Sequence, residues 1–91
     1  MSVNLREIEE SIYLYPTVNE VAVIDVLDGI VAFVGAEKNS VQIKNEILRY
    51  CKSVLARSQW PRDVLLMAQL PKNMNGTFDK SALKNHYLQQ R

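Results

Sequence analysis

Two lysines bracket an asparagine-glycine turn and a threonine hydroxyl in the stretch Leu70-Pro71-Lys72-Asn73-Met74-Asn75-Gly76-Thr77-Phe78-Asp79-Lys80. This is the unusual segment of the chain, and a chemical role for it needs comparison with other proteins. The same residues, taken alone, make an ordinary surface loop leading into a helix, with Lys72 and Lys80 in water. Glu9-Glu10 invites a paired-carboxylate reading. Consecutive helical positions point about 100° apart, so a solvated face is expected there instead of two carboxyls sharing a proton. His86 is the only histidine. It is expected to face solvent on the last helix, and one imidazole without a second ligand makes no zinc site, so no metal is expected. Cys51 falls on an apolar helical stripe, where a free cysteine packs as a small hydrophobe. Trp60-Pro61 reads as a packed corner. A Walker loop, a dinucleotide glycine fingerprint and a nucleophile elbow are all missing from the chain.

The elements that must carry these residues follow from periodicity and breakers. Asn4 is placed to cap a helix with Glu7 three residues on, and Leu5, Ile8, Ile12 and Tyr15 recur at helical spacing, predicting a helix over Leu5 to Leu14. Pro16 stops it. Val18 to Val26 reads as a strand with Val21, Val23 and Asp25 on one face and Ala22, Ile24 and Val26 on the other, so both faces look largely buried. Asp28-Gly29 signals a hairpin turn into a second, antiparallel strand over Ile30 to Val34. From Ser40, a cap, Ile43, Ile47, Leu48, Cys51, Val54 and Leu55 form the apolar stripe of a helix ending near Ala56. Pro61 breaks that pattern, and Asp63 to Ala68 is short and apolar enough for a third strand. Asp79 caps a last helix with Ala82, Leu83 and Tyr87 inward, ending in the polar tail Gln89-Gln90-Arg91. The order helix-strand-strand-helix-strand-helix, and a hairpin that cannot itself be a parallel crossover, predict an α+β two-layer domain: a small three-stranded sheet covered by helices.

Composition sets the outer limits. The 91 residues are enough for one domain, 1–91, and 47% apolar with 23% charged is a globular balance. A net charge of +1 lacks the positive field that nucleic-acid binding draws on, and no apolar run is long enough to span a bilayer. A single cysteine precludes an internal disulfide, and the N-terminus has no apolar signal core, so a cytoplasmic location is expected. A domain this small leaves little room for a deep, water-excluded pocket, and a complete enzyme in it would be unusual.

Several of these segments, in order, resemble the C-terminal subdomain of the adenylate-forming superfamily: acyl-CoA synthetases, peptide synthetase adenylation domains and luciferases. Val3 to Glu9 is similar to the start of that subdomain's first helix, and Tyr15-Pro16-Thr17-Val18-Asn19-Glu20-Val21-Ala22-Val23 to its next characteristic segment. Ile30 to Val34 resembles the following strand, and Trp60-Pro61 through Val64 the stretch before the third strand. Leu70-Pro71-Lys72 through Leu83 resembles the closing leucine-proline-lysine and asparagine-glycine motif. The resemblance covers nearly the whole chain. It implies a mobile lid that works with a large N-terminal AMP-binding domain, in the same or a separate chain. The lid would bind no cofactor alone, while the assembled enzyme would use ATP and Mg²⁺ with coenzyme A or the phosphopantetheine of a carrier protein.

The family presents a lysine directly after the loop glycine, where its ammonium meets the charge that develops during acyl-adenylate formation. Here that position is Thr77, a neutral hydroxyl, so no catalytic residue is assigned and adenylation is expected to be weak. Lys72 and Lys80 are the nearest cations, and Lys72, Asn75, Gly76, Thr77 and Lys80 are the loop candidates. Leu5, Trp60, Met74 and Phe78 are the candidate contacts to a large domain, and Asn73 to Thr77 is expected to be the most loosely held segment. The family's hinge residue and the glycine-bearing loop used for thioester formation are expected ahead of Val3, so Met1 opens either a separately encoded subunit or an excised piece. The alternative is a non-catalytic module that binds a large adenylating domain or a carrier protein, and a third is an unrelated domain sharing only the pattern.

Overall fold

The first helix, α1 (Leu5–Tyr13), starts where the sequence says it should, with Asn4 Oδ1 accepting from the N–H groups of Arg6 (3.1 Å) and Glu7 (3.3 Å). The computed structural model describes residues 4–27, 29–37 and 40–89. Val3, Asp28 and the tail residues Gln90 and Arg91 therefore lie outside the described residues. Strands β1 (Glu20–Val26) and β2 (Gly29–Gly35) follow, then α2 (Val41–Val54), a 3-10 turn at Arg57–Gln59, β3 (Asp63–Met67) and α3 (Lys80–Gln89). The α+β class and the element order are as the sequence predicts.

The strands lie in the order β1-β2-β3. The hairpin is antiparallel with Val26 opposite Gly29, so Gly29, read from the sequence as part of the turn, belongs to the ladder. The second link differs: α2 carries the chain across the sheet, and β3 pairs parallel to β2, Ala32 opposite Val64. The sheet is therefore mixed.

Alternation along β2 decides the layering. Ile30, Ala32 and Val34 point into one cluster with Val21, Val23 and Val64, closed by Ile8 and Ile12 of α1 and Ile47 and Cys51 of α2. Val31 and Phe33 point into the other with Ala22 and Ile24, closed by Leu83 and Tyr87 of α3 and by Leu70. Both faces of β2 are apolar, so helices must cover both, and the two layers expected become three, with α3 alone on the second face.

The expected stripe of α2 holds except at one end. Ile47, Cys51 and Leu55 are buried, whereas Val54 is exposed, because the helix stops at Val54 and Leu55 turns into extended backbone. Burial pushes the Cys51 thiol up to about 11, which keeps it protonated and inert. Pro61 is buried and Trp60 donates its indole N–H to the Leu55 carbonyl (3.0 Å), the packed corner read from the sequence.

Phe33 is the largest side chain buried without residual exposure. Phe33→Ala is expected to cost about 3–5 kcal/mol in urea unfolding, by opening a cavity between β2 and α3. Cys51 should react with a thiol reagent at neutral pH only once denaturant is added.

Candidate functional site

The glycine loop is a closed turn rather than a slack connection. Asn73 shapes it: its carbonyl accepts from the Gly76 N–H (3.1 Å), and its own N–H donates to the Thr77 carbonyl (2.8 Å). Its side-chain Oδ1 accepts from the N–H groups of Asn75 (2.9 Å) and Thr77 (3.3 Å), so a short carboxamide replaces the partners a strand would supply. Gly76 has φ +83, a conformation that disfavours any side chain. Lys72 and Phe78 face each other as an antiparallel bridge at the base, and Asp79 donates its N–H to the Pro71 carbonyl (2.9 Å). The Asp79 carboxylate then accepts from the Ala82 N–H (3.1 Å) and caps α3. The loose segment expected at Asn73 to Thr77 is thus held by its own backbone.

Glu20, at the head of β1, ties this turn to the sheet. Its Oε1 accepts from the Leu70 N–H (3.1 Å) and its Oε2 pairs with Lys72 Nζ (3.2 Å). The Leu70 N–H, together with Lys72, holds the Glu20 carboxyl below the usual glutamate range against a desolvation that pushes it the other way. Glycine at position 35 makes the reach possible: a Cβ there would stand 3.0 Å from both Cβ and Oε1 of Glu20. Lys72 also sits 5.7 Å from the centre of the Phe78 ring.

A second carboxylate does the same for Lys80. Glu9 Oε2 accepts from the Val23 N–H of the edge strand (2.8 Å) and pairs with Lys80 Nζ (3.1 Å), joining α1, β1 and the start of α3. The solvated face expected for Glu9-Glu10 is therefore correct only for Glu10, which pairs with Arg6 in water. Glu9 is drawn inward because the outer N–H of an edge strand needs an acceptor.

The structure brings Lys72, Asn75, Gly76, Thr77 and Lys80 into one loop and its helical continuation, with Asn75, Gly76 and Thr77 exposed. Both lysines already hold a carboxylate. The four interface candidates do not share a surface condition. Met74 is fully exposed at the loop tip, Phe78 is half-buried against the α3 cluster, and Leu5 and Trp60 are half-buried against the other. His86, expected in solvent, is half-buried with its ring 6.5 Å from that of Phe33, since α3 lies on the sheet instead of beside it. A surface groove of about 470 Å³ is lined by Pro16, Thr17, Asn19, Ala36, Glu37 and Ile43, and no loop candidate lines it. No group of three or more metal-ligating side chains forms among the described residues.

Residues 7–77 match the family model described as the AMP-binding enzyme C-terminal domain. The chain belongs to that family. It is 36% identical over 86 residues to the long-chain-fatty-acid–CoA ligase FadD13 of Mycobacterium tuberculosis, an alignment covering 89% of this chain and 17% of that protein. It is 29% identical over 90 residues to the mitochondrial malonate–CoA ligase of Homo sapiens, covering 93% of this chain and 16% of the other. The ATP-bound structure of MatB from Rhodopseudomonas palustris superposes with a TM-score of 0.84 at 32% identity, over 96% of this chain and 18% of MatB. The chain thus spans about a sixth of the length of the relatives it matches.

Glu20 and Glu9 anchor the loop in this chain; Glu20 does not stand out in the sequence, and Glu9 stands out only as half of an adjacent acidic pair. The usable signal was the hairpin register, which sets Glu20 opposite Gly35 and so gives a long carboxylate room to cross the strand. Because its folded value is depressed, the stabilisation from Glu20 is complete above the ordinary glutamate range and is lost as pH falls through the folded value. Glu20→Gln is expected to cost about 0.5–1.5 kcal/mol at neutral pH. In urea unfolding across a pH series, the gap to wild type should close on acidification.

Proposed function

We propose that the chain is the mobile lid of an ATP-dependent acyl-adenylating ligase and works against a large AMP-binding domain. Its membership of the AMP-binding C-terminal family carries this reading, supported by the small share of each relative that it spans. The assembled enzyme would use ATP and Mg²⁺ to activate a carboxylate as its adenylate and then pass the acyl group to a thiol. Relatives named as CoA ligases support coenzyme A as that thiol ahead of a carrier protein's phosphopantetheine. Selection of the acid would rest with the large domain. A cytoplasmic setting fits a chain with one buried, reduced cysteine.

The lid's own contribution is set by its loop. Thr77 offers only a hydroxyl, its N–H being held by Asn73 Oδ1, whereas the cations on either side, Lys72 and Lys80, are each neutralised by a carboxylate at 3.2 and 3.1 Å. Freeing either lysine for an anionic substrate would give up its pair with Glu20 or Glu9, leaving that carboxylate on its main-chain donor alone. The arrangement therefore favours weak support of adenylation, with the thioester-forming half-reaction as the lid's main task. A module that only binds a large domain or a carrier protein is the competing reading, and the same loop chemistry favours it.

Pyrophosphate exchange by the lid together with its large domain separates the two. Thr77→Lys restores a cation at the exposed tip, and exchange is expected to rise on the order of 10²-fold. Equal rates for the two proteins would deny the loop an electrostatic role in adenylation and leave the binding module.

A further inference from the structure

Asparagine followed by glycine can lose ammonia without an enzyme. The backbone nitrogen of the second residue attacks the asparagine Cγ, and an N–Cγ bond closes a five-membered succinimide. The Cγ–Nδ2 bond breaks, and ammonia leaves carrying the proton from the attacking N–H. Water then opens the ring at one carbonyl or the other, leaving aspartate or isoaspartate. The ring closes readily when the carboxamide is free to turn, the next residue has no Cβ to crowd it and water has access.

Asn75-Gly76 meets all three conditions. Asn75 is exposed, and its carboxamide makes no hydrogen bond among the described residues. Gly76 carries no Cβ, and one built there would meet nothing within 4 Å. Asn73, two residues earlier, shows the contrast: its carboxamide is occupied by two N–H groups and its successor is Met74. The other asparagines, Asn4, Asn19, Asn39, Asn45 and Asn85, are followed by Leu5, Glu20, Ser40, Glu46 and His86. One bond opposes the attack, since the Gly76 N–H is held by the Asn73 carbonyl at 3.1 Å. That bond is exposed to water, in a turn exposed from Lys72 to Thr77 and apart from the core, so releasing the nitrogen requires local opening of the turn and not unfolding of the domain.

We propose that Asn75-Gly76 is a site of self-modification, at which the chain converts Asn75 to aspartate or isoaspartate. Each conversion adds one negative charge beside Thr77, and isoaspartate also lengthens the backbone inside the Asn73–Gly76 turn. The modification itself is independent of the ligase reading. Only its consequence for catalysis, a carboxylate where an adenylating loop presents a cation, rests on that reading.

The chain is held at neutral and at mildly alkaline pH and followed by intact mass, peptide mapping and labelling with an isoaspartyl methyltransferase. A gain of one mass unit is expected, mapped to Asn75 and faster at the higher pH because the attacking nitrogen must shed its proton. The gain should be absent in Asn75→Gln, whose longer side chain closes the corresponding ring poorly. A chain that keeps its mass while a peptide spanning residues 70–80 converts would overturn the proposal, showing that the Asn73–Gly76 bond locks the turn. Conversion mapped to another asparagine would overturn it as well.

Discussion

Strand β2 has no solvated face, and the rest of the fold answers to that constraint. Ile30 to Ala36 are all buried, with alternate side chains committed to opposite clusters. An antiparallel neighbour on one side and a parallel one on the other satisfy its backbone; α1 and α2 cover one face and α3 the other. The third helix is therefore not an appendage. Its Leu83 and Tyr87 close the cluster around Phe33, and the loop that precedes it must begin and end at fixed points on the sheet.

Those fixed points are supplied by carboxylates that the helices and strands hold out from the core. Glu20 reaches across Gly35 to the Leu70 N–H and Lys72, and Glu9 reaches from α1 to the Val23 N–H and Lys80. Each carboxylate satisfies a main-chain donor first and a lysine second. An exposed ion pair alone contributes little, but a carboxylate already oriented by a backbone N–H spends less entropy in meeting its lysine. The lysines that frame the glycine turn act here as struts, each committed to a carboxylate of its own domain.

Periodicity and breakers made the elements legible to within a residue or two. Asn4, Ser40 and Asp79 cap helices as their types require, and the alternation of Val21, Ala22, Val23 and Ile24 foretold two buried faces. The layer that covers the second face was not legible, because α3 has only Leu83 and Tyr87 as deep anchors and most of its residues are polar. Long-range polar contacts were hidden for a different reason. Glu9 looks like any charged helical residue until the edge strand beside it presents an unpaired N–H, and His86 looks solvated until the sheet arrives beneath its helix. The loop stood out by its residue types, but its rigidity did not, since the work of Asn73 depends on a turn only three dimensions reveal.

On the lid proposal, a change of pose and a loop that holds its shape are compatible demands, because every bond that shapes the loop lies within this domain. The bonds that define the turn run between Asn73 and Gly76, Thr77 or Asn75, all inside the loop. Its anchors run to β1 and α1 of the same domain through Glu20 and Glu9. Nothing in that set requires a second domain to be present. The loop would therefore rotate with the sheet as one body, and a hinge outside it would absorb the change in backbone angles. A turn ordered before docking would also lose little conformational entropy on contact, so on the lid proposal even the modest area of a transient domain interface would suffice to seat an exposed tip such as Met74.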